Sequence, residues 1–500
     1  MKVLFPIMAL RLFNTLSGKV EEFRPLVDNE VRMYACGPTV YDYGHIGNFR
    51  TFVAVDILRR YLRQSGFQVR HVMNITDVDD KIIRNASKAG VPVQQYTEKY
   101  QKAFLEDAAA LHIEKPQIVR ATDNIDKMAD FIAALVEKGF AYRTDDGSYY
   151  FRIAKFPGYG KLSKKDFAGM EDGARVDVDE YEKDNARDFA LWKAPKPGEA
   201  SWETKIGAGR PGWHIECSVM SMQELGESFD LHAGGEDLIF PHHENEIAQS
   251  ESLTGRPFAH FWFHARFLLV EGEKMSKSAG NFFTLRDLVL KGIKPSSIRY
   301  ALSSVPYRNQ LNFTFDGLTQ AASSVERLRN FRLRLGGKFD PGSNLAMSTL
   351  AAQTSKRLRE ALDDDLNTAQ AQAAIFDMIR AANAAIDSSE LKQDDVPLLH
   401  AAIDQFDAIF SVLQDDDAEN MKKILDWAEA EGRGKEISPE LREIVRSTAL
   451  SDSAIESKIV AMSEARKARN FARSDAIRAE LTAQGILIEQ TKEGVRWRRK

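Results

Sequence analysis

Five hundred residues are more than one hydrophobic core serves, so three or more domains are expected. A composition 43% hydrophobic and 28% charged is that of a folded chain, which excludes fibrous and wholly disordered classes. The net charge of −5 argues against a polycation that coats nucleic acid, and the two cysteines, Cys36 and Cys217, exclude a disulfide scaffold and point to reducing cytoplasm.

The run Val3–Leu10 is apolar, but Arg11 follows at once and no small-residue cleavage site appears. It reads as a ragged start leading into a strand. No apolar stretch approaches the roughly 20 residues that span a bilayer, so no membrane partner is expected. Val31–Ala35 reads as a buried strand, broken by Cys36-Gly37-Pro38-Thr39. From His45, the positions Phe49, Phe52, Val53, Ile57, Leu58 and Leu62 keep helical spacing, and Gln68–Ile75 is a second strand. Strand, Gly-containing turn, helix and strand make a βαβ unit. It predicts a parallel sheet with its site at the strands' C-terminal ends.

The texture changes over 124–207, where short aromatic segments such as Gly147–Phe151 alternate with charged and Gly-rich loops; this predicts an insertion. The α/β texture of 1–123 returns over 208–261. Beyond 320 the chain is Ala- and Leu-rich with helical periodicity, which predicts a helical bundle to about 435. Glu429–Lys435 reads as a linker to a small final domain, 436–500. Residues 465–500 carry ten bases against four acids, either a basic face or a solvated tail.

Three segments carry chemistry. The loop Cys36–Asn48 lies where a strand hands over to a helix, whose N-terminal N–H groups suit phosphate. Gly44 and Gly47 allow close approach there, while His45 and Asn48 add donors; a tight turn without function has the same appearance. Glu273–Asn281 places Lys274 and Lys277 three apart beside small hydroxyl residues. That suits movable cations around a leaving pyrophosphate, though a lysine-bearing surface turn looks alike. Third, His242 and Glu246 are four apart in a helix-opening segment, and with Cys36 and Cys217 they make a plausible zinc donor set. Two buried thiols and a polar helix start remain the alternative, because the cysteines are far apart in sequence.

Read together, His45-Ile46-Gly47-Asn48 and Lys274-Met275-Ser276-Lys277-Ser278 resemble the two signatures of the class I aminoacyl-tRNA synthetases. The text of Tyr34–Asn48, Asn74–Lys81, Gly212–Ser218, His232–Glu246, Asp364–Thr368 and Gly494–Lys500 resembles the cysteine-specific branch of that family, over nearly the whole chain. The resemblance implies an α/β fold. Its Rossmann-type parallel-sheet catalytic domain would be split by the insertion at 124–207 and followed by a stem-contact region at 262–319. An α-helical tRNA-binding bundle and a small C-terminal anticodon-recognition domain would complete it. It implies a cytoplasmic monomer that activates L-cysteine with ATP and Mg2+ and transfers it to tRNA(Cys). It also implies one zinc per chain on Cys36, Cys217, His242 and Glu246, which selects His242 over His243. Cysteine contacts are implied at Gly37, Thr39, Thr76 and Trp213. ATP contacts are implied at Gly44, Gly47, His232, Gly234, Asp237 and Lys277, with His45, Asn48, Lys274 and Lys277 catalytic. Arg466, Phe471, Asp475 and Trp497 are implied tRNA contacts. Asn48 stands where relatives often have a second His, and Gln490 where they often have an acid.

Zinc suits the selection problem, because serine differs from cysteine only by oxygen for sulfur and apolar pockets separate near-isosteres by only about 10–200-fold. Three rival readings remain. A ligase joining cysteine to an amino sugar would share both sites. A zinc peptidase is suggested by His243-Glu244, yet Ile247 stands where His-Glu-x-x-His needs its second His. A non-catalytic tRNA-binding protein would not need the intact lysine loop.

Overall fold

The computed structural model describes residues 9–165, 188–196, 199–446, 452–491 and 494–499. The apolar start through residue 8 lies outside them. Arg11–Asn14 is indeed a strand, paired antiparallel with Lys19–Glu22.

The central sheet has five parallel strands in the order Ala259–Ala265, Phe229–Gly235, Glu30–Ala35, Gln68–Ile75, Gln117–Arg120. Val31, Met33, Tyr34 and Ala35 are all buried, so both faces of the middle strand are covered. Continuous apolar runs are what a two-sided parallel strand requires. The helix Ile46–Gln64 returns the chain between two of these strands and buries Phe49, Phe52, Val53, Ile57, Leu58 and Leu62 as its spacing predicted. From Glu30–Ala35 the chain runs to one side through Gln68–Ile75, and its other neighbour, Phe229–Gly235, arrives much later. The strand order therefore reverses there, which opens a crevice beyond the C-terminal ends of those two strands. Cys36 and Gly37 follow one strand end, and Gly234 and Gly235 form the other.

The inserted segment folds as an antiparallel sheet of Ala141–Arg143, Tyr149–Phe151, Phe189–Lys193 and Arg210–Pro211. Its last strand lies past residue 207, because Arg210 and Pro211 pair with Lys193 and Trp192. Helices Phe315–Leu335, Leu345–Asp363, Thr368–Asp387 and Val396–Phe410 then bury Leu328, Phe331, Leu358, Leu362, Met378, Leu399 and Phe406 together. The segment read as a linker is packed. Glu431 pairs with Lys99, Arg433 pairs with Asp287, and Leu441 and Ile444 of the next helix join the main core. Glu429 also pairs with Arg442, so three charges of this segment have partners that composition alone does not reveal. The final helices, Asp452–Lys467 and Phe471–Ala483, pack with the hairpin Ile486–Thr491/Gly494–Arg499 around Ile455, Ile459, Leu481 and Ile486.

A buried ion pair ties the first long helix of the catalytic unit, Ile46–Gln64, to the helix Pro295–Ser303. Arg299 Nη2 meets Asp56 Oδ2 at 2.6 Å, and both side chains are sequestered from water. Arg60 reaches the same carboxylate at 2.8 Å. Burial alone would raise the Asp56 pKa, but Arg299 and Arg60 hold it below the usual carboxylate range. The pair's stability is therefore present above that range and lost as pH falls through the lowered value. Arg299→Leu takes from the buried carboxylate one of its two cations and is expected to cost up to about 3–5 kcal/mol. The readout is a lower urea midpoint, and an unchanged midpoint would deny the pair this role.

Candidate functional site

At the crevice, two thiols and a group of imidazoles converge on one carboxylate. Cys36 Sγ lies 3.7 Å from Cys217 Sγ and 3.8 Å from Glu246 Oε1. His242 Nε2 is 3.1 Å from Glu246 Oε1, and His232 Nε2 is 2.7 Å from Glu246 Oε2. Cys36 arrives at a strand end, Cys217 on the helix Trp213–Leu225, and Glu246 in the first turn of the helix Glu244–Thr254. His242 precedes that helix in a kinked turn, so the shared face of His242 and Glu246 survives without regular helix at both.

Two overlapping groups of donor atoms lie within 4.8 Å of one another: Cys36, Cys217, His242 and Glu246, and Cys36, His232, His243 and Glu246. The first fits a thiophilic divalent ion better, because it offers two sulfurs. The other histidines brace it, as outer partners of metal ligands commonly do. His232 occupies Oε2 of Glu246 and leaves Oε1 facing the sulfurs, while His214 Nδ1 sits 3.0 Å from His242 Nδ1. His243 contacts Cys36 through Nε2 at 3.3 Å and His264 through Nδ1 at 2.8 Å. Burial opposes ionisation of Cys217, yet the hydrogen bond from Cys36 and the nearby His242 bring its pKa down to about 6. Burial likewise opposes ionisation of Glu246, but His232 and His242 hold it at about 2. A buried thiolate beside a buried carboxylate is a charge pair that a cation stabilises.

The implied cysteine contacts ring this cluster. Gly37 must be glycine, since a Cβ would collide with the Asn74 carbonyl. Thr39 and Thr76 pair as a parallel bridge, and Thr76 Oγ1 donates to the buried Glu216 at 2.7 Å. The Trp213 ring stacks on His242 with centroids 4.3 Å apart and stays 38% exposed. His232 is fully buried, with its ring against Glu246 and Trp262. Gly234 and Asp237 remain at the strand end and in the exposed turn beyond it.

The two signature segments lie side by side. His45 caps the Ile46–Gln64 helix: its Nδ1 accepts from Asn48 N at 3.2 Å, and Asn48 Oδ1 accepts from His45 N at 3.2 Å. Asn48 thus does capping work that its sequence position does not reveal. Burial, aided by Lys277, lowers the His45 pKa to about 4, with Asp42 opposing. A neutral ring whose Nδ1 accepts carries its proton on Nε2. A nitrogen-15 titration of His45 is expected to show the Nε2–H tautomer down to about pH 4; ionisation near 6.5 would contradict the cap. His45 also bridges Thr284, just beyond the lysine loop. At Gly47 a Cβ would press on the His45 ring and on Met275 of that loop. Lys274 is exposed in a short strand, and Lys277 Nζ rests 2.9 Å from Asp42 Oδ2 while 68% exposed. Exposed pairs contribute about 0–1 kcal/mol, so a phosphate competes for this lysine easily.

At the other end of the chain, Phe471 is 58% exposed, Trp497 packs on the small core, Arg466 reaches Gln490, and Asp475 is exposed on the final helix. Sequence reasoning missed the convergence of His214, His232, His243 and His264, and missed Glu216. Nothing in the separate segments shows that these residues meet, and only the folded topology gathers them. Glu244 is no peptidase base: its carboxylate accepts backbone N–H groups of Gly160, Leu162 and Ser163.

The chain is similar to known proteins over nearly its whole length. Residues 22–323 match the family model of the class I (C) tRNA synthetase catalytic domain, and residues 357–414 match the DALR domain. A methionyl-tRNA synthetase of Mycobacterium tuberculosis shares the fold, with TM-score 0.55 at 17% identity over 80% of this chain and 93% of that one. A cysteine–tRNA ligase from Koribacter versatilis is 66% identical, covering 99% of this chain and 100% of that protein. One from Solibacter usitatus is 54% identical over the same shares. Agreement of this depth from end to end, around a cysteine-lined crevice in a class I catalytic sheet, makes the chain a member of the cysteine–tRNA ligase family.

Proposed function

We propose that this chain, in the cytoplasm and as a monomer, activates L-cysteine with ATP and transfers it to the 3′-terminal ribose of tRNA(Cys), with Cys36, Cys217, His242 and Glu246 holding one zinc. The convergence of those four donors beside Thr39, Thr76 and Trp213 carries the reading. The chemistry such a zinc supplies is a preference for thiolate, lowering a substrate thiol's pKa from about 8.5 so that serine cannot match it. The protein's own residues orient and stabilise. Gly37 lets the substrate approach the backbone, and Thr76, fixed by Glu216 and Asn74, presents its hydroxyl oxygen. The cysteine carboxylate attacks the α-phosphate of ATP, and pyrophosphate leaves. His45, as a neutral Nε2–H donor, and the cations Lys274 and Lys277 stabilise charge that develops on the phosphates, with Mg2+ accompanying ATP. Asn48 acts by holding His45. Gly44, Gly47, Gly234 and Asp237 bound the nucleotide space. The tRNA ribose hydroxyl then attacks the activated carbonyl and releases AMP. An amino sugar as the acceptor is not supported, because the full-length relatives are named cysteine–tRNA ligases.

Pyrophosphate exchange that requires cysteine, and that serine does not replace, is the expected result with purified protein. Exchange supported equally by serine would refute the reading. In the tail, Arg466, Phe471, Asp475 and Trp497 are the proposed tRNA contacts. Base stacking on an exposed ring contributes about 1–3 kcal/mol. Phe471→Ala is therefore expected to raise the KM for tRNA and leave exchange unchanged. Unaltered charging at low tRNA concentration would remove Phe471 from the interface.

A further inference from the structure

Trp427 lies on the helix Asp417–Ala430, far along the chain from both nucleotide signatures. Its indole Nε1 nevertheless donates to the Tyr43 hydroxyl at 3.1 Å, and the two rings meet edge to face with centroids 5.1 Å apart. Tyr43 directly precedes Gly44 and His45. The Arg286 guanidinium lies over both rings, 5.2 Å from Tyr43 and 4.5 Å from Trp427. Arg286 is itself fixed, paired at 2.8 Å with both Asp107 and Glu106. It lies in the first turn of the helix after the lysine loop, and its neighbour Asp287 closes a capping box with Thr284, the residue bridged to His45. From the other direction Arg433 stacks over Trp427 at 5.2 Å and pairs with Asp287 at 2.8 Å.

One indole therefore joins the entry to the first signature and the exit from the second, through one hydrogen bond and two cation–π contacts. If packing were its whole purpose, an aliphatic side chain would cover the same surface. An indole that donates to Tyr43 and stacks on the arginine of the other segment also fixes their relative position. Small displacements of groups that flank a reacting centre cost rate steeply.

We propose that Trp427 is a positioning residue for ATP. It holds the Tyr43–Asn48 turn and the Thr284–Asp287 cap in one register, so that His45 and the lysine loop reach the polyphosphate together. The inference rests on the proposed activation of cysteine with ATP. Trp427 is assigned no substrate contact of its own and acts through Tyr43 and Arg286.

The test is cysteine-dependent pyrophosphate exchange on the full chain, with KM for ATP, KM for cysteine, kcat, zinc content and Tm measured for each variant. Coupling through packed networks typically changes function by about two- to thirty-fold. Trp427→Ala is expected to lower kcat/KM for ATP within that span while KM for cysteine and zinc content hold. Trp427→Phe, which keeps the stacking and loses the N–H, should recover part of the loss. Tyr43→Phe removes the same hydrogen bond from the other side, should match Trp427→Phe, and should add nothing to it in the double variant. These two gentle variants keep the test decisive if Trp427→Ala fails to fold. Unchanged ATP constants in both phenylalanine variants, or losses that track Tm and fall equally on ATP and cysteine, would overturn the proposal. Absence of exchange in the unaltered protein would refute the activation reading itself, and this inference with it.

Discussion

A Cys217→Ser protein is expected to lose its metal and its affinity for cysteine together, while its affinity for ATP holds. Cys217 is wholly buried, 3.7 Å from Cys36, on a helix that also carries Glu216 and Trp213. Serine there is isosteric but remains a neutral hydroxyl at pH 7, so a soft ion loses one of two sulfur donors. Loss of even an outer partner of a metal ligand costs about 10–100-fold in metal affinity, and loss of a ligand should exceed that. Bound zinc, measured by mass spectrometry on the purified variant, and KM for cysteine should move in step. His232→Ala should move both in the same direction by a smaller amount, because it frees the carboxylate that His232 orients. A Cys217→Ser protein with full zinc and normal cysteine activation would sink the assignment.

The second large effect concerns developing charge. Lys277→Ala and His45→Ala are each expected to slow adenylate formation by about 10²–10³-fold, the cost of removing one preorganised donor to a transition state. Zinc content should not change, because neither residue contacts the cluster. The two sites differ in readiness. His45 is held by its cap with Asn48, whereas Lys277 rests on Asp42 in an exposed pair. Asn48→Ala should therefore act as a weaker His45 variant, through lost orientation. If Lys277→Ala left the single-turnover rate of activation unchanged, that lysine would leave the mechanism.

Much of this was legible in the sequence because the catalytic sheet is parallel. Its strands are buried on both faces and read as unbroken apolar runs, and the helix between them keeps its spacing from Phe49 to Leu62. The crevice followed from that pattern, and the donors Cys36, Cys217, His242 and Glu246 do meet there. What escaped depends on distance along the chain. The bond from His232 to Glu246 and the stacking of its ring on Trp262 join residues of separate segments, and strand alternation alone does not reveal them. The linker reading of Glu429–Lys435 failed because charged composition does not reveal whether the charges are paired; Arg433 and Glu431 have partners some 146 and 332 residues away. Trp427 had no visible role for the same reason.

The central claim, that this crevice loads cysteine onto tRNA, is tested most directly by incubating the purified, zinc-replete protein with ATP, Mg2+, tRNA(Cys) and labelled cysteine or serine, and measuring aminoacyl ester at the tRNA 3′ end. Cysteinyl ester should accumulate and seryl ester should not. Activation of cysteine with no ester on tRNA, or charging with serine at a comparable rate, would contradict the account.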